Sequence, residues 1–143
     1  MPRFSANLSL LFTELPLLER FSAAREYGFL AVEIQFPYET PAEQIKTQID
    51  LTGLELVLIN VPAGDLMNGG EGLAAVPSKR QEFIDAVNKA AEYADILSPE
   101  FINVLPGCCF ETDFINQYME TFTSLSLIHI SEPTRPRLIS YAV

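Results

Sequence analysis

An α/β fold with a parallel sheet is what this sequence predicts, on three observations. Short, nearly continuous apolar runs occur four times. Segments of helical period separate them. Glycine and proline fall at the joints. Strands that read as apolar throughout, alternating with amphipathic helices, imply a parallel sheet covered by helices.

The elements follow in order. "RFSANLSLLF" predicts a first strand near Phe4 to Leu8, and a helix follows from about Leu15 to Tyr27. Its Leu17, Leu18, Phe21 and Ala24 share one face, and Gly28 stands where a helix C-terminal cap belongs. "FLAVEIQF" is the second strand. In "TPAEQIKTQIDLTG", Thr40 is placed to cap, Pro41 to open the helix and Glu43 to complete a capping box. Ile45 and Ile49 then face inward and Gly53 ends the helix. "LELVLINV" is the third strand, followed by the long glycine-rich loop "PAGDLMNGGEGLAAVP". Ser78 and Gln81 suggest another capping box, opening a helix whose stripe is Phe83, Ile84, Val87, Ala91 and Ala94. "FINVLPG" is the fourth strand. Thr112 is then expected to cap a fourth helix with Phe114, Tyr118, Met119 and Phe122 inward.

The order βαβαβαβα leaves two architectures open, a small doubly wound sheet and part of a (β/α)₈ barrel. "NLSLLFTELP" after the first strand holds no glycine, against a dinucleotide-binding fingerprint. A complete barrel takes about 250 residues, and this chain has 143.

Composition narrows the function. The formal net charge is −10, which disfavours a phosphate backbone and anionic membranes as partners. The start "MPRFSANLSLLF" does not read as a signal peptide. No run approaches the ~18 apolar residues of a membrane span. The adjacent Cys108 and Cys109 are poorly placed to pair with each other and make no secreted framework, so a cytoplasmic location is expected. Without a neighbouring histidine they are also a poor zinc site.

"FSANLSLLF", "GFLAVEIQFPYE", "LINVPAGD" with its glycine-rich loop, and "INVLPG" together resemble the amino-terminal half of the hydroxypyruvate isomerase family, which belongs to the xylose isomerase-like (β/α)₈ TIM barrels. The resemblance covers roughly residues 1–123. It implies about four βα units of a truncated barrel over residues 1–124. It also implies an enzyme family that interconverts hydroxypyruvate and tartronate semialdehyde. Another branch of the same superfamily, such as a sugar epimerase, stays open. One local departure follows "NVLPG", where "CCFETD" replaces an expected longer loop of small residues.

The resemblance stops within the fourth helix. "LSLIHISEPTR", from Leu125, reads as the translation of a transposon adapter used in sequencing libraries. "ISYAV" reads as the primer side of the same adapter, in the same frame, with "PRL" filling an index-sized gap. Residues 125–143 are therefore expected to form no domain, and His129, Arg135 and Arg137 are assigned no role.

The implied reaction moves a proton between neighbouring carbons, which needs a base and an electrophile that stabilises an enediolate. The resemblance places the catalytic glutamates, and the carboxylates for a divalent metal such as magnesium, on later strands. No catalytic residue and no metal ligand is assigned in this chain, which is expected to be inactive alone. What remains is one wall of a pocket for a small hydroxy-carbonyl acid, at the carboxy-terminal ends of the strands. Its candidates are Asn7, Glu33, Phe36, Asn60 and Asp65. Asn7 fits substrate binding or turn chemistry equally, and Glu33 a pocket or a structural partner. Phe36 fits the core better, and Asp65 also suits a turn. Gly69, Gly70 and Gly72 suggest a mobile lid. A half-barrel with open edges is also expected to self-associate.

Overall fold

The computed structural model describes residues 4–130 and 139–141, with side chains for 4–125. Strands and helices alternate as β1 (Ser5–Asn7), α1 (Leu17–Glu26), β2 (Ala31–Ile34), α2 (Ala42–Thr52), β3 (Glu55–Asn60), α3 (Arg80–Leu97), β4 (Phe101–Val104), α4 (Ile115–Ile130) and β5 (Ile139–Tyr141). The sheet order is β1-β2-β3-β4-β5, and every pairing is parallel. This is the four-unit partial barrel that the sequence predicts, with one strand more.

The fifth strand lies in the segment expected to form no domain. Its register is Ile102 with Ile139, Asn103 with Ser140 and Val104 with Tyr141. A sheet that stops at β4 presents a row of unpaired main-chain groups, and main-chain pairing demands little of the sequence that answers it. Pairing there is thus compatible with a segment of foreign origin.

Side chains on the two faces of the sheet differ. Ala6, Val32, Ile34, Ile59, Ile102 and Val104 point to the helix layer and are buried. They pack with Phe21 of α1, Ile45 of α2 and Phe83 of α3 in one core. Burying a side chain the size of Phe21, which has no exposed surface, contributes about 2–3 kcal/mol. The alternate positions form the inner face. Ser5, Ala31 and Glu55 are in register there, as are Asn7, Glu33 and Leu58. A register shift between Val32 and Glu33 keeps this phase across β2 and β3.

Several local expectations change. Glycines do end α1 and α2: Gly28 has φ +87° and Gly53 φ +66°. Neither predicted capping box forms. Pro41 is itself the N-cap of α2 with no side-chain cap bond, and a 3₁₀ turn over Pro77–Lys79 leads into α3, which also lacks one. The buried stripe of α3 is Phe83, Ala86, Ala90, Tyr93, Ala94 and Leu97. Ala91, expected inside, is exposed. On α4, Phe122 packs against the core and Leu125 is buried. Met119, and Phe114 in the 3₁₀ turn just before α4, are instead exposed at 57% and 43%. Among the described residues no helix is long and apolar enough to cross a membrane.

Candidate functional site at the strand ends

β1 ends at Asn7, whose Oδ1 accepts the Ser9 amide at 2.9 Å. That is the turn chemistry expected of an asparagine, but it also fixes the side chain. With its oxygen engaged, Asn7 has its amide nitrogen left to offer. Ser9 Oγ in turn accepts the Gln35 amide at 2.9 Å, tying the β1 loop to the end of β2. Arg20 of α1 holds the same loop from the helix side, donating to the carbonyls of Leu8 (2.7 Å) and Leu15 (2.8 Å). Phe12 in this loop has φ +60°, a strained conformation for a bulky side chain. It packs beside Tyr27 with ring centroids 5.5 Å apart.

Glu33 stands next to Asn7 in register on the inner face and is partly exposed. Among the described residues no side chain donates a hydrogen bond to its carboxylate. One residue pair along, Asn60 and Asn103 meet in register at the ends of β3 and β4. They are the buried polar side chains of the described core, at 5% and 9% exposure. Asn103 Nδ2 donates to Asn60 Oδ1 at 3.0 Å. Both Asn7 and Asn60 thus have their oxygens engaged and donors available.

A second layer locks Asn60. The Tyr38 hydroxyl donates to the Asn60 carbonyl. Tyr93 of α3 donates to the carbonyls of Thr40 (3.0 Å) and Tyr38 (3.3 Å), and its ring meets Tyr38 edge-on at 5.0 Å. Burial, and then the neighbouring Tyr93, push the Tyr38 hydroxyl well above its ordinary range, so it remains a donor. Helix α3, the loop after β2, and strands β3 and β4 are connected through this series.

Phe36 is half-buried and lines a separate groove of ≈ 310 Å³ with Tyr38, Glu39, Pro62, Ala63 and Met67. Asp65 is elsewhere engaged. Its carboxylate accepts the Gly72 amide at 3.0 Å and pairs with Lys79 at 3.2 Å. The Gly72 hydrogen bond first, then Lys79, hold its carboxyl below the usual aspartate range. The glycine-rich loop is therefore tied down. Leu73, Ala74 and Val76 are buried, and the loop bonds to the next one through Ala75 N–H to Pro106 O and Cys108 N–H to Glu71 O, each 2.9 Å. Tyr118 of α4 closes the arrangement by donating to Glu71, which pushes its hydroxyl up to about 12. Gly107 must be glycine here: φ is +104°, and a Cβ would stand 2.2 Å from the Glu71 carbonyl oxygen. The loop expected to be a lid from Gly69, Gly70 and Gly72 is braced in this structure by these contacts.

The structure thus joins Asn7, Glu33 and Asn60 on one face, puts Phe36 beside it, and leaves Asp65 to organise its own loop. Asn103 was missed by sequence reasoning. The signal was present, since "INV" recurs at Ile59–Val61 and Ile102–Val104. The rim holds one carboxylate among amides, and no group of three His, Cys, Asp or Glu able to hold a metal occurs among the described residues. A hard divalent cation takes about six oxygen ligands, so these residues alone do not form its site.

Comparison with known proteins supplies the family. The model of the xylose isomerase-like TIM barrel matches residues 21–125. The chain is 42% identical over 107 residues to the 2-oxo-tetronate isomerase of Cupriavidus necator, covering 75% of this chain and 41% of that protein. It is 45% identical over 107 residues to the hydroxypyruvate isomerase of Escherichia coli, covering 75% and 42%. A crystal structure titled AP endonuclease, family 2, from Brucella melitensis superposes with a TM-score of 0.81 at 41% identity, covering 87% of this chain and 48% of that one. The chain therefore spans less than half the length of these curated relatives.

Proposed function

Since the chain belongs to the xylose isomerase-like TIM barrel family, we propose that it is the amino-terminal part of an isomerase acting on a small hydroxy-carbonyl acid, with hydroxypyruvate and tartronate semialdehyde as the pair interconverted. The observation that carries this reading is the polar rim of Asn7, Glu33, Asn60 and Asn103 on the inner face, in a chain 42–45% identical to isomerases of such acids. Substrate oxygens would accept from the amide donors of Asn7 and Asn60. Hydrogen-bond donors fixed in advance at developing negative charge lower the barrier to an enediolate. The base, and any divalent metal, would come from the other half of the barrel. The chain alone is expected to turn over neither acid, and a reducing cytoplasm is its proposed location.

The acidic balance of −10 favours this reading over action on a nucleic acid. A fusion of residues 1–124 to the remaining half of the Escherichia coli relative tests it. Turnover of hydroxypyruvate, weakened by Asn60→Ala, is expected. Epimerisation of ketohexoses with no turnover of either acid would move the chain to the epimerase branch.

The adapter origin of residues 125–143 is part of the same proposal. The family match ends at residue 125, where that reading begins. Resequencing the source gene across codons 110–143 with an adapter-free library decides it. A genomic "SLIHISEPTR" would return His129 and the nearby arginines to candidacy.

A further inference from the structure

The two cysteines of the sequence are neighbours, Cys108 and Cys109, and both are free. They sit in the loop after β4, at the same end of the sheet as Asn103, and the isomerase reading gives them nothing to do. Cys108 is exposed and Cys109 half-exposed. The backbone beneath them is held. The Cys108 amide donates to the Glu71 carbonyl at 2.9 Å, and Gly107 before it has no room for a Cβ. The Cys109 thiol donates to the Glu111 carbonyl at 3.1 Å. Phe110, the next residue, is 66% exposed.

We propose that this pair is a two-sulfur binding site for a neutral trivalent arsenical that carries one apolar organic group. Three observations select that ligand. A direct S–S bond, about 2 Å long, strains the peptide between adjacent residues, whereas an atom bonded to both sulfurs lets them stay farther apart. The site also offers two sulfurs and no third ligand, since among the described residues no group of three His, Cys, Asp or Glu could hold a metal. Zinc takes four ligands, but trivalent arsenic with one organic group needs two, and soft sulfur suits a soft centre. Finally, residues 105–114 contain no lysine or arginine and carry Glu111 and Asp113. That field disfavours an anionic reagent and spares a neutral one, while exposed Phe110 gives the organic group an apolar contact. The arsenical enters as its dihydroxide. Two As–O bonds break, two As–S bonds form, and each thiol proton leaves with a hydroxide as water. Arsenic stays trivalent, so no oxidant or reductant is required. The ring so closed stiffens the loop that borders Asn103. The inference stands apart from the isomerase reading.

The test is titration of the full chain, reduced with a phosphine, with phenylarsine oxide, which is the dihydroxide in water. Mass spectrometry is expected to find one arsenic per chain, with both thiols lost to a thiol-counting reagent. The adduct should survive an excess of a monothiol and be reversed by a dithiol. Cys108→Ser and Cys109→Ser are each expected to bind about a hundredfold more weakly, because a second sulfur on the same chain acts at high effective concentration. Their circular dichroism should match the parent's. A peptide of residues 105–112 should bind about tenfold more weakly, since its backbone is not held in advance. Two arsenicals per chain, or a serine variant that binds as the parent does, overturns the proposal. A peptide of equal affinity also overturns it, because the fold would then build no site.

Discussion

The Asn103 amide donates to Asn60 Oδ1 across 3.0 Å, joining the ends of β4 and β3 where both side chains are buried. Asn103→Ala leaves the Asn60 oxygen buried without that partner. The expected cost is about 1–3 kcal/mol, the penalty for an unsatisfied buried polar group. Urea unfolding of the single and double alanine variants checks it. The double variant is expected to cost less than the two singles added, because the second substitution removes a group already orphaned. Strict additivity would mean that the amides do not act as a pair.

Asp65 predicts a pH dependence. Its folded-state pKa lies below the ordinary aspartate value of 3.8. The contribution is therefore complete above that value and is lost as pH falls through the depressed folded value. Protection of the Gly72 amide against hydrogen exchange is expected to persist at pH 5 and to fall in stronger acid. Asp65→Asn should flatten that profile. Lys79→Met should move the loss to higher pH, since the ammonium group helps to hold the carboxyl ionised. A Gly72 amide that exchanges alike in all three would show that the carboxylate does not hold the loop.

How much of this was legible depends on range. The alternation of β1 to β4 with α1 to α4 rests on residue period, which is local, and it was legible. Pro41 displaced the predicted Thr40 cap because its ring fixes the backbone one residue later than the pattern suggests. Ala86, Ala90 and Ala94 line the inward side of α3 because small side chains let the helix approach the sheet. Of these only Ala94 was in the predicted stripe, since a scan that follows the large apolar residues sets the face slightly off. Phe114 and Met119 look inward in sequence, yet both are exposed. Asn7, Glu33 and Asn60 were candidates because barrel sites lie at strand ends, and register sets them on one face. Asn103 was passed over, since register across β3 and β4 is a tertiary fact. His129, to which no role is assigned, has a side chain outside the described ones.

Ser98 ends α3 in the left-handed conformation, with φ +52°, while its amide bonds to Ala94 O at 2.9 Å. A Cβ makes that conformation unfavourable by about 1 kcal/mol, and glycine does not have that cost. Ser98→Gly is expected to raise the melting temperature by a few degrees without altering the fold. Ser98→Val should lower it. Differential scanning calorimetry measures both, and a Gly variant less stable than the parent would show that the serine hydroxyl has a role of its own.

Gly107→Ala attacks the brace between the two loops. The added carbon would meet the Glu71 carbonyl oxygen at 2.2 Å, with φ already at +104°. Neither side can yield without moving backbone, so a loss of about 2 kcal/mol or more is expected. Faster exchange of the Cys108 amide, which bonds to Glu71 O at 2.9 Å, should accompany it. Gly28→Ala provides the contrast: its Cβ would meet nothing within 4 Å, and only the positive φ opposes it. A smaller loss is expected there.

The last prediction concerns β5. Its pairing of Ser140 with Asn103 occupies the outer edge of β4, where the next strand of a closed barrel would lie. A net main-chain hydrogen bond is worth about 1 kcal/mol, so so short a pairing contributes only one or two such bonds. Stopping the chain after Ile130 keeps α4 and removes β5. A loss of about 1–2 kcal/mol is then expected. Urea unfolding of both chain lengths measures the difference. Equal stabilities would mean that Ile139–Tyr141 adds nothing to the sheet. A loss well beyond that range would mean that this strand helps the half-barrel hold its shape.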